Sequence, residues 1–404
     1  MKTRLLLLFV LVTSFTFSQR IKESIPSKKL EEERTFTVSL PPNYEFDVEK
    51  KFPVLVLLDG EYLINPFEGN LKYGNYWDDL PEMIIVAVHQ NYDEKRFDDS
   101  NYDETGLPVG KGANFFEFIG FELLPYIEGK YRTLPFRVIA GHDTTAGFLN
   151  FYLYKDDPIF NGYISLGAEL APQMIKRVAE RLPLIKKPLF YYHAIGQADL
   201  ADINENAKAL DKTIAPIPNK TFGYRFDQFK GATHYSLVPQ AIPQALYFIF
   251  EGYQPISMME FKEKIVTLDK GYTQYLIDKY TKLEEKFGLK LKPRLTDFKA
   301  IEAAILKNKA YFEFQELGKY ADKQYPKTTL GTYHQAMYYE KSGEFKKAIK
   351  EYRKGYTLTG IREITTAFML DKAESLKNKE DESTVEEYVE PVPEEGSEEK
   401  KEGE

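Results

Sequence analysis

The sequence predicts an α/β protein: a mainly parallel β-sheet flanked by helices, then a smaller all-α domain and a disordered acidic tail. Short apolar, β-branched runs recur through the first 255 residues, with helix-like segments between them. From residue 256 these runs stop, and the Lys- and Glu-rich sequence takes on a helical period. The predicted divisions are a leader at 1–18, the α/β domain at 19–255, the helical domain at 256–372 and the tail at 373–404.

Residues 1–18 are predicted to be a secretory signal peptide. A short basic start is followed by about 13 residues that are apolar apart from Thr and Ser. Thr16 and Ser18 are small residues at the third and first positions before a cleavage point after Ser18. The apolar run is shorter than the ~20 residues of a membrane span. We therefore expect export to the periplasm, the outer-membrane periphery or the cell exterior, with no transmembrane segment left after cleavage.

Strands and helices alternate in the α/β domain. Residues 115–126 are predicted to form a helix, because Phe115, Phe118, Leu123 and Tyr126 fall on one stripe. A further strand beginning at residue 224 runs into a loop that carries a histidine. Continuous apolar runs of 4–8 residues are typical of strands buried on both faces. Residues 34–40 alternate between polar and apolar and are also predicted to form a strand. The strands predicted from continuous apolar runs are 52–58, 83–88, 136–140, 163–166 and 188–195.

The helical domain carries one good and one partial copy of a repeat-like pattern. Residues 333–358 read as a helix pair, and an earlier partial copy ends at Tyr325-Pro326. Small and aromatic residues of the pair fall where a tetratricopeptide repeat places its packing residues. Stable arrays usually have three or more copies. A tetratricopeptide-like domain and a plain helical extension therefore both remain open. The positions concerned are Ala336, Tyr339, Gly343, Phe345, Ala348 and Tyr352.

Composition excludes several classes of function. The chain has no cysteine, so disulfides, thiolate metal sites and cysteine nucleophiles are excluded. The formal net charge is −8, but residues 380–404 alone carry −10, so the rest of the chain carries +2. Such a body has no general attraction to nucleic acid. No phosphate-binding glycine loop and no H-E-x-x-H motif is present, and we predict no cofactor and no metal.

One constellation has the order of a hydrolytic triad. Residues 136–147 read as a strand, a sharp turn and a helix, with Asp143 at the position of a nucleophile. The strand at 188–195 leads to Asp199 and Asp202, and a later strand leads to His234. Nucleophile, acid and histidine follow one another in the order of α/β hydrolases.

At these positions, residues 30–255 resemble the bacterial putative-esterase family, the α/β hydrolases related to esterase D and enterochelin-type siderophore esterases. The matching pieces are 57–61, 115–133, Gly141-His142 and 232–236. The resemblance implies that His234 is the catalytic histidine and that Asp199 is the acid; the sequence leaves Asp202 open as the alternative acid. It also implies oxyanion-hole amides at Gly60 or Glu61 and at Thr144, with His142 beside the turn.

Departures from the family pattern fall on the elbow, which is the sharp turn at residues 141–146 that presents residue 143. Where the family reads G-H-S-x-G-G, this chain has Asp143 for the serine and Thr145 and Ala146 for the glycines; Gly167 replaces a further usual serine. A carboxylate is already anionic and opposes the negative charge that develops on a bound ester. A β-branched Thr145 is expected to push the turn open.

Two functions follow. We expect an exported, catalytically degenerate esterase-like protein, a binding or scaffolding component of the bacterial cell envelope. Its helical domain would recruit an envelope protein, and a small ester ligand would occupy the cleft. The alternative is an active carboxylic-ester or related hydrolase using Asp143, His234 and Asp199, since carboxylates do act as nucleophiles.

Overall fold

The computed structural model describes residues 20–386, with side chains described through residue 377. The predicted signal peptide lies outside these residues. Within them the chain divides into two units. The first runs to Gln254 and includes Leu283–Leu289, and the second comprises Pro255–Lys282 and the chain from Lys290 onward. No helix among the described residues is long and apolar enough to cross a membrane.

The first unit is built on one eight-stranded sheet in the order β1-β2-β4-β3-β5-β6-β7-β8. The pairs β1–β2 and β2–β4 are antiparallel, and the other neighbouring pairs are parallel. This mainly parallel sheet confirms the predicted fold class. The strands are β1 Arg20–Ser27, β2 Glu32–Ser39, β3 Phe52–Leu57, β4 Ile84–Val88, β5 Thr133–His142, β6 Gly162–Leu166, β7 Leu189–Ala198 and β8 Phe222–Thr233.

The apolar runs occupy the centre of the sheet. Every residue of β3, β4 and β6 is buried, as expected for parallel strands covered by helices on both faces. Parallel strands end at the same edge, so the loops after β3, β5, β6, β7 and β8 meet there. Ligand sites of open α/β sheets form at this carboxyl edge.

Strand β1 was not among the predicted strands, because its sequence is charged. It lies at the sheet edge, where only alternate residues need to be buried. Its Glu23 accepts a hydrogen bond from Tyr126 at 2.8 Å and forms an ion pair with Lys130 at 2.7 Å. These tertiary contacts, rather than an apolar pattern, hold the strand.

Helices flank the sheet and make up the second unit. The predicted helix at 115–126 is present as α3, a single π-helical turn at Ile119–Leu123 and α4. The helices are α1 Gly60–Tyr76, α2 Lys95–Asp98, α3 Gly110–Phe118, α4 Leu124–Lys130, α5 Thr144–Phe148, α6 Met174–Arg181, α7 Ala201–Ile214, α8 Leu237–Ile249, α9 Met258–Glu260, α10 Tyr272–Phe287, α11 Leu295–Lys307, α12 Glu313–Gln324, α13 Thr329–Lys341, α14 Phe345–Lys354 and α15 Thr366–Glu386.

In the second unit, α13 and α14 form the predicted helix pair. Ala336, Ala348 and Tyr352 are fully buried, and Gly343 turns the chain between the helices with φ 77°. Helix α15 continues to Glu386, past residue 373, where the disordered tail was predicted to begin. The reason is apolar spacing, because Met369, Ala373 and Leu376 are buried at intervals of three and four residues. The rest of the predicted tail lies outside the described residues.

Candidate active site

The turn after β5 holds Asp143 in a strained backbone conformation. Its φ and ψ angles are 61° and −122°, a sparsely populated region for non-glycine residues that costs ~1–3 kcal/mol. The Asp143 N–H donates to the carbonyl oxygen of Leu166 at 2.9 Å, and the Asp143 carbonyl oxygen accepts from the Gly147 N–H at 3.0 Å. The turn is thus pinned to the end of β6 and to α5. The Asp143 side chain lies beside His234 and Arg96.

His234 lies between two carboxylates. Its Nδ1 is 2.8 Å from Asp199 Oδ1, and its Nε2 is 3.7 Å from Asp143 Oδ1. Asp199 is thus the carboxylate that contacts His234, whereas Asp202 is the second residue of α7 and is exposed to solvent. The Asp199 side chain is fully buried, and its Oδ2 has no hydrogen-bond partner among the described residues. The three residues predicted as a degenerate triad are therefore assembled in triad order.

Arg96 ties the Asp143 carboxylate to a second, buried carboxylate. Its Nη1 is 3.2 Å from Asp143 Oδ2, its Nε donates to Asp59 Oδ1 at 2.6 Å, and its Nη2 donates to the His142 carbonyl at 2.8 Å. The pKa of Arg96 is raised: burial works to lower it, but the hydrogen bond and charge of Asp59 outweigh burial. Arg96 is therefore a fixed cation at the elbow.

Thr145 does not push the turn open, contrary to our expectation. Its side chain is fully buried. Its hydroxyl donates to Asp59 Oδ2 at 2.6 Å and accepts from the His142 N–H at 3.0 Å. A glycine at this position would let the strand and the helix approach closely. Thr145 fits instead because the hydrogen bonds of its hydroxyl hold the turn closed.

The predicted oxyanion amides lie at two helix starts. Gly60 and Glu61 are the first residues of α1, and Thr144 is the first residue of α5, where backbone N–H groups have no intrahelical acceptor. Gly60 is required by packing, since a Cβ there would lie 2.6 Å from backbone atoms of Ala87 and Val88. The Glu61 carboxylate accepts from the Gln90 N–H at 2.8 Å and holds the loop after β4.

His142 lies behind His234, almost fully buried. Its Nε2 is 3.0 Å from the His234 carbonyl oxygen, its Nδ1 is 3.1 Å from the Tyr62 hydroxyl, and the two histidine ring centroids are 4.4 Å apart. The pKa of His142 is lowered by burial first and by the neighbouring His234 second. A neutral His142 is suited to supporting the ring of His234.

A cavity lies along α6 and α7, and Glu169, next in sequence to its lining residue Leu170, contacts the elbow. The Thr144 hydroxyl donates to Glu169 Oε2 at 2.9 Å, and directly after Glu169 the chain lines a cavity of about 770 Å³ bordered by α6 and α7. Its wall is mostly apolar, including Leu170 and Met174, with Tyr102 on one side. The pKa of Tyr102 is raised by burial and then by the charge of Glu169. The cavity is suited to an apolar group of a ligand held at the elbow.

The charges at the site are mainly negative. Asp59, Asp143, Glu169 and Asp199 face one permanent cation, Arg96. A carboxylate at position 143 has no proton to give to His234, unlike the serine hydroxyl of a Ser-His-Asp triad. No group of three or more His, Asp or Glu side chains among the residues that the structure describes could hold a metal ion.

Comparison with known proteins relates part of the first unit to a known family. A sequence model of the family described as "Putative esterase" matches residues 27–166. The chain is 28% identical to the ferri-bacillibactin esterase BesA of Bacillus subtilis (strain 168) over 149 residues, which are 34% of this chain and 52% of that protein. The chain belongs to the esterase-like α/β-hydrolase family. It spans about half the length of this curated relative.

Solved structures extend the likeness of this esterase-family chain beyond the first unit. An uncharacterised protein from Capnocytophaga ochracea DSM 7271 is 30% identical, with a TM-score of 0.81; 89% of this chain and 100% of that chain are covered. An IroE-like serine hydrolase from Shewanella oneidensis is 23% identical, with a TM-score of 0.55, covering 81% of this chain and 99% of that chain. At that identity the likeness shows the fold alone.

Sequence reasoning missed three residues of this esterase-family site. Asp59 falls only within the matching segment 57–61, although it anchors Arg96, and Tyr62 and Glu169 were not singled out. The signal available for Asp59 was its place directly after the all-apolar run 52–58, because a carboxylate at the end of a buried strand needs a cation. Nothing in the sequence around Tyr62 or Glu169 distinguishes them from other surface residues.

Proposed function

We propose that this protein is an exported, catalytically degenerate esterase that binds a ligand at its elbow and serves as a binding or scaffolding component of the bacterial cell envelope. The observation that carries the proposal is the Asp143 carboxylate, which stands where the family resemblance predicts a serine. It is ion-paired to Arg96 at 3.2 Å and lies 3.7 Å from His234 Nε2. Acyl transfer of the serine type has no hydroxyl to start from.

Electrostatics argue in the same direction. Ester hydrolysis places negative charge on the carbonyl oxygen, which must lie near the amides of Thr144 and of Gly60 or Glu61. An Asp143 carboxylate at contact distance from that oxygen opposes the charge by ~1 kcal/mol at a dielectric of 80 and ~4 kcal/mol at 20. Arg96 offsets part of this, but the same guanidinium is already engaged by Asp59.

The ligand that suits this cleft is a small ester or related amphipathic molecule. Its polar end would meet Asp143, Arg96 and His234, and its apolar end would enter the cavity of about 770 Å³ lined by Leu170 and Met174. Pockets of roughly 300–1,000 Å³ with apolar walls and few polar groups are typical small-molecule sites.

Hydrolysis of short-chain nitrophenyl esters tests the proposal. The purified full chain, His234→Ala and Asp143→Ser are compared. General-base catalysis is worth ~10²–10⁴-fold, so a histidine-dependent rate is easy to detect. We expect no rate above background for the natural chain or His234→Ala, and a new rate for Asp143→Ser that disappears in the double variant Asp143→Ser/His234→Ala. A natural-chain rate lost in His234→Ala overturns the proposal.

That overturning outcome would favour a second candidate, an aspartate-dependent hydrolase. The observation in its favour is the retained order Asp143–His234–Asp199 with a strained residue 143. In this scheme Asp143 Oδ1 attacks the acyl carbon of the ester, the C–O bond to the leaving group breaks, and the alkoxide or phenolate departs, which leaves a mixed anhydride on Asp143. His234 then takes a proton from a water molecule that attacks the anhydride, the substrate acid and the Asp143 carboxylate are released, and the proton passes to the departed alkoxide or phenolate. Mass spectrometry after rapid quenching would detect the acyl group on Asp143, and Asp143→Asn would abolish it.

The partner is proposed to bind through the second unit. A cavity of about 290 Å³ there is lined by aromatic residues, including Phe298, Tyr333 and Phe368, and exposed Ala303 lies on its wall. Ala303→Arg fills the cavity without touching the core. We expect an envelope protein that co-purifies with the full chain to be lost with Ala303→Arg and kept with Ala209→Arg, an exposed site on α7. Equal recovery with both variants argues against this surface.

A further inference from the structure

Three exposed aromatic side chains stand together at the end of α1. Tyr73, Tyr76 and Trp77, which we call the aromatic platform, are 68%, 80% and 59% exposed. The rings of Tyr76 and Trp77 meet edge to face, with centroids 5.0 Å apart. Exposed apolar groups of this size mark interaction sites when they are clustered. Helix α1 starts beside the elbow at Gly60, so the platform lies ~25 Å further along the helix.

The backbone that carries the platform is fixed. The Asn75 side-chain amide donates to the Leu80 carbonyl at 2.8 Å, and the Asp79 N–H donates to the Gly74 carbonyl at 2.8 Å. Gly74 packs so closely that a Cβ there would lie 2.6 Å from the Leu80 side chain. A surface held in place before binding loses less conformational entropy on binding.

A polar cavity opens beside the platform. It has a volume of about 350 Å³, and its lining includes Tyr76, Asn43, Asn75, Lys50 and Glu82. The Glu82 side chain is only 9% exposed and accepts from Asn43 Nδ2 at 2.9 Å and Lys50 Nζ at 2.5 Å. Among the described residues, the side-chain oxygens of Asn43 and Asn75 accept no hydrogen bond. The cavity thus offers amide oxygens and two lysines, Lys50 and Lys72, next to aromatic rings.

We propose that the platform and this cavity bind a neutral carbohydrate chain. A sugar ring has apolar C–H faces that pack on aromatic rings and hydroxyls that both donate and accept hydrogen bonds. Tyr and Trp are suited to such mixed surfaces, with an apolar ring and a polar edge. An apolar peptide would take water away from the Lys50–Glu82 pair and from the amide oxygens of Asn43 and Asn75 without replacing its hydrogen bonds. Among the residues that line the cavity, Asp78 and Glu82 balance Lys50 and Lys72, which favours a neutral ligand over an anionic lipid surface.

This site is independent of the proposed function, because it shares no residue with the elbow. The test is isothermal titration of the full chain with cello-, xylo- and chito-oligosaccharides, followed by retardation in gels that contain the corresponding soluble polymers. Truncating a central aromatic anchor typically weakens binding by about tenfold or more. We expect that loss for Trp77→Ala and Tyr76→Ala, and a smaller loss for Asn43→Ala.

Phe121→Ala is the matched control, because Phe121 is an aromatic residue of the same unit that is 69% exposed; it should bind like the natural chain. Absence of binding to every oligosaccharide, or binding unchanged in Trp77→Ala, overturns the proposal. Two other results that depend on Trp77 would also overturn the proposal. Self-association in sedimentation equilibrium would assign the platform to a second copy of the chain. Binding to phosphatidylcholine–phosphatidylglycerol vesicles would assign it to lipid.

Discussion

Removal of the Arg96 guanidinium by Arg96→Gln should destabilise the first unit by ~3 kcal/mol. Asp59 is fully buried and receives two hydrogen bonds from Arg96, at 2.6 and 3.2 Å. Breaking a buried pair from one side costs ~3–5 kcal/mol, since it leaves a buried charge uncompensated. The lower end applies because the hydroxyls of Tyr62 and Thr145 still donate to Asp59, at 2.9 and 2.6 Å.

Loss of the Arg96–Asp143 pair adds little to that cost. The Asp143 side chain is 26% exposed and the contact is 3.2 Å, so its contribution is ~0–1 kcal/mol. The larger share of the effect should therefore reside in Asp59. A double-mutant cycle with Asp59→Asn isolates it: the double variant should be more stable than the sum of the two single losses predicts, by at least ~2 kcal/mol.

The assay is urea unfolding followed by tryptophan fluorescence. Trp77 is the one tryptophan in the chain and belongs to the first unit, so the signal reports that unit without a contribution from the second. Arg96→Lys is the control, because lysine keeps the positive charge but cannot make the paired hydrogen bonds of the guanidinium. A loss under ~1 kcal/mol for Arg96→Gln, or additive losses in the cycle, would refute the argument that Asp59 depends on Arg96.

Three further predictions follow from local geometry. Gly60→Ala should destabilise the first unit by ~1–3 kcal/mol, because the added Cβ meets β4 backbone at 2.6 Å; an unchanged urea midpoint would contradict it. Asp143→Gly should raise stability by ~1 kcal/mol, because relief of the strain at φ 61° exceeds the loss of a partly exposed ion pair; a destabilised variant would show that the turn is not strained. Burial lowers the pKa of His193 from 6.5 to about 4. As the pH falls, His193 therefore takes up a proton in the unfolded chain first, and stability should decrease by on the order of 3 kcal/mol from pH 6.5 to pH 4. His193→Gln should flatten that part of the stability–pH curve, and an unaltered curve would exclude His193 as its cause.

Local patterns predicted most of the sheet and the triad positions. Runs such as 52–58 and 83–88 are apolar at every position, and only a strand buried on both faces accepts such a run, so β3 and β4 followed from sequence. Asp143, His234 and Asp199 followed from chain order after strands, because parallel strands deliver their carboxyl ends to one edge. Strand β1 did not follow, since an edge strand can be polar and depend on tertiary partners such as Tyr126.

Relations between distant segments were decided by the tertiary structure alone. Asp199 rather than Asp202 meets His234, although the two acids are three residues apart, because Asp199 directly follows the end of β7 while Asp202 lies in α7 and faces solvent. Thr145 closes the elbow because its hydroxyl finds Asp59, which is 86 residues earlier. Local patterns show which residues can do chemistry and near which strand each lies. Their pairing depended on packing, since hydrogen bonds and ion pairs act over a few ångströms and no local pattern records which distant group folding brings within that range.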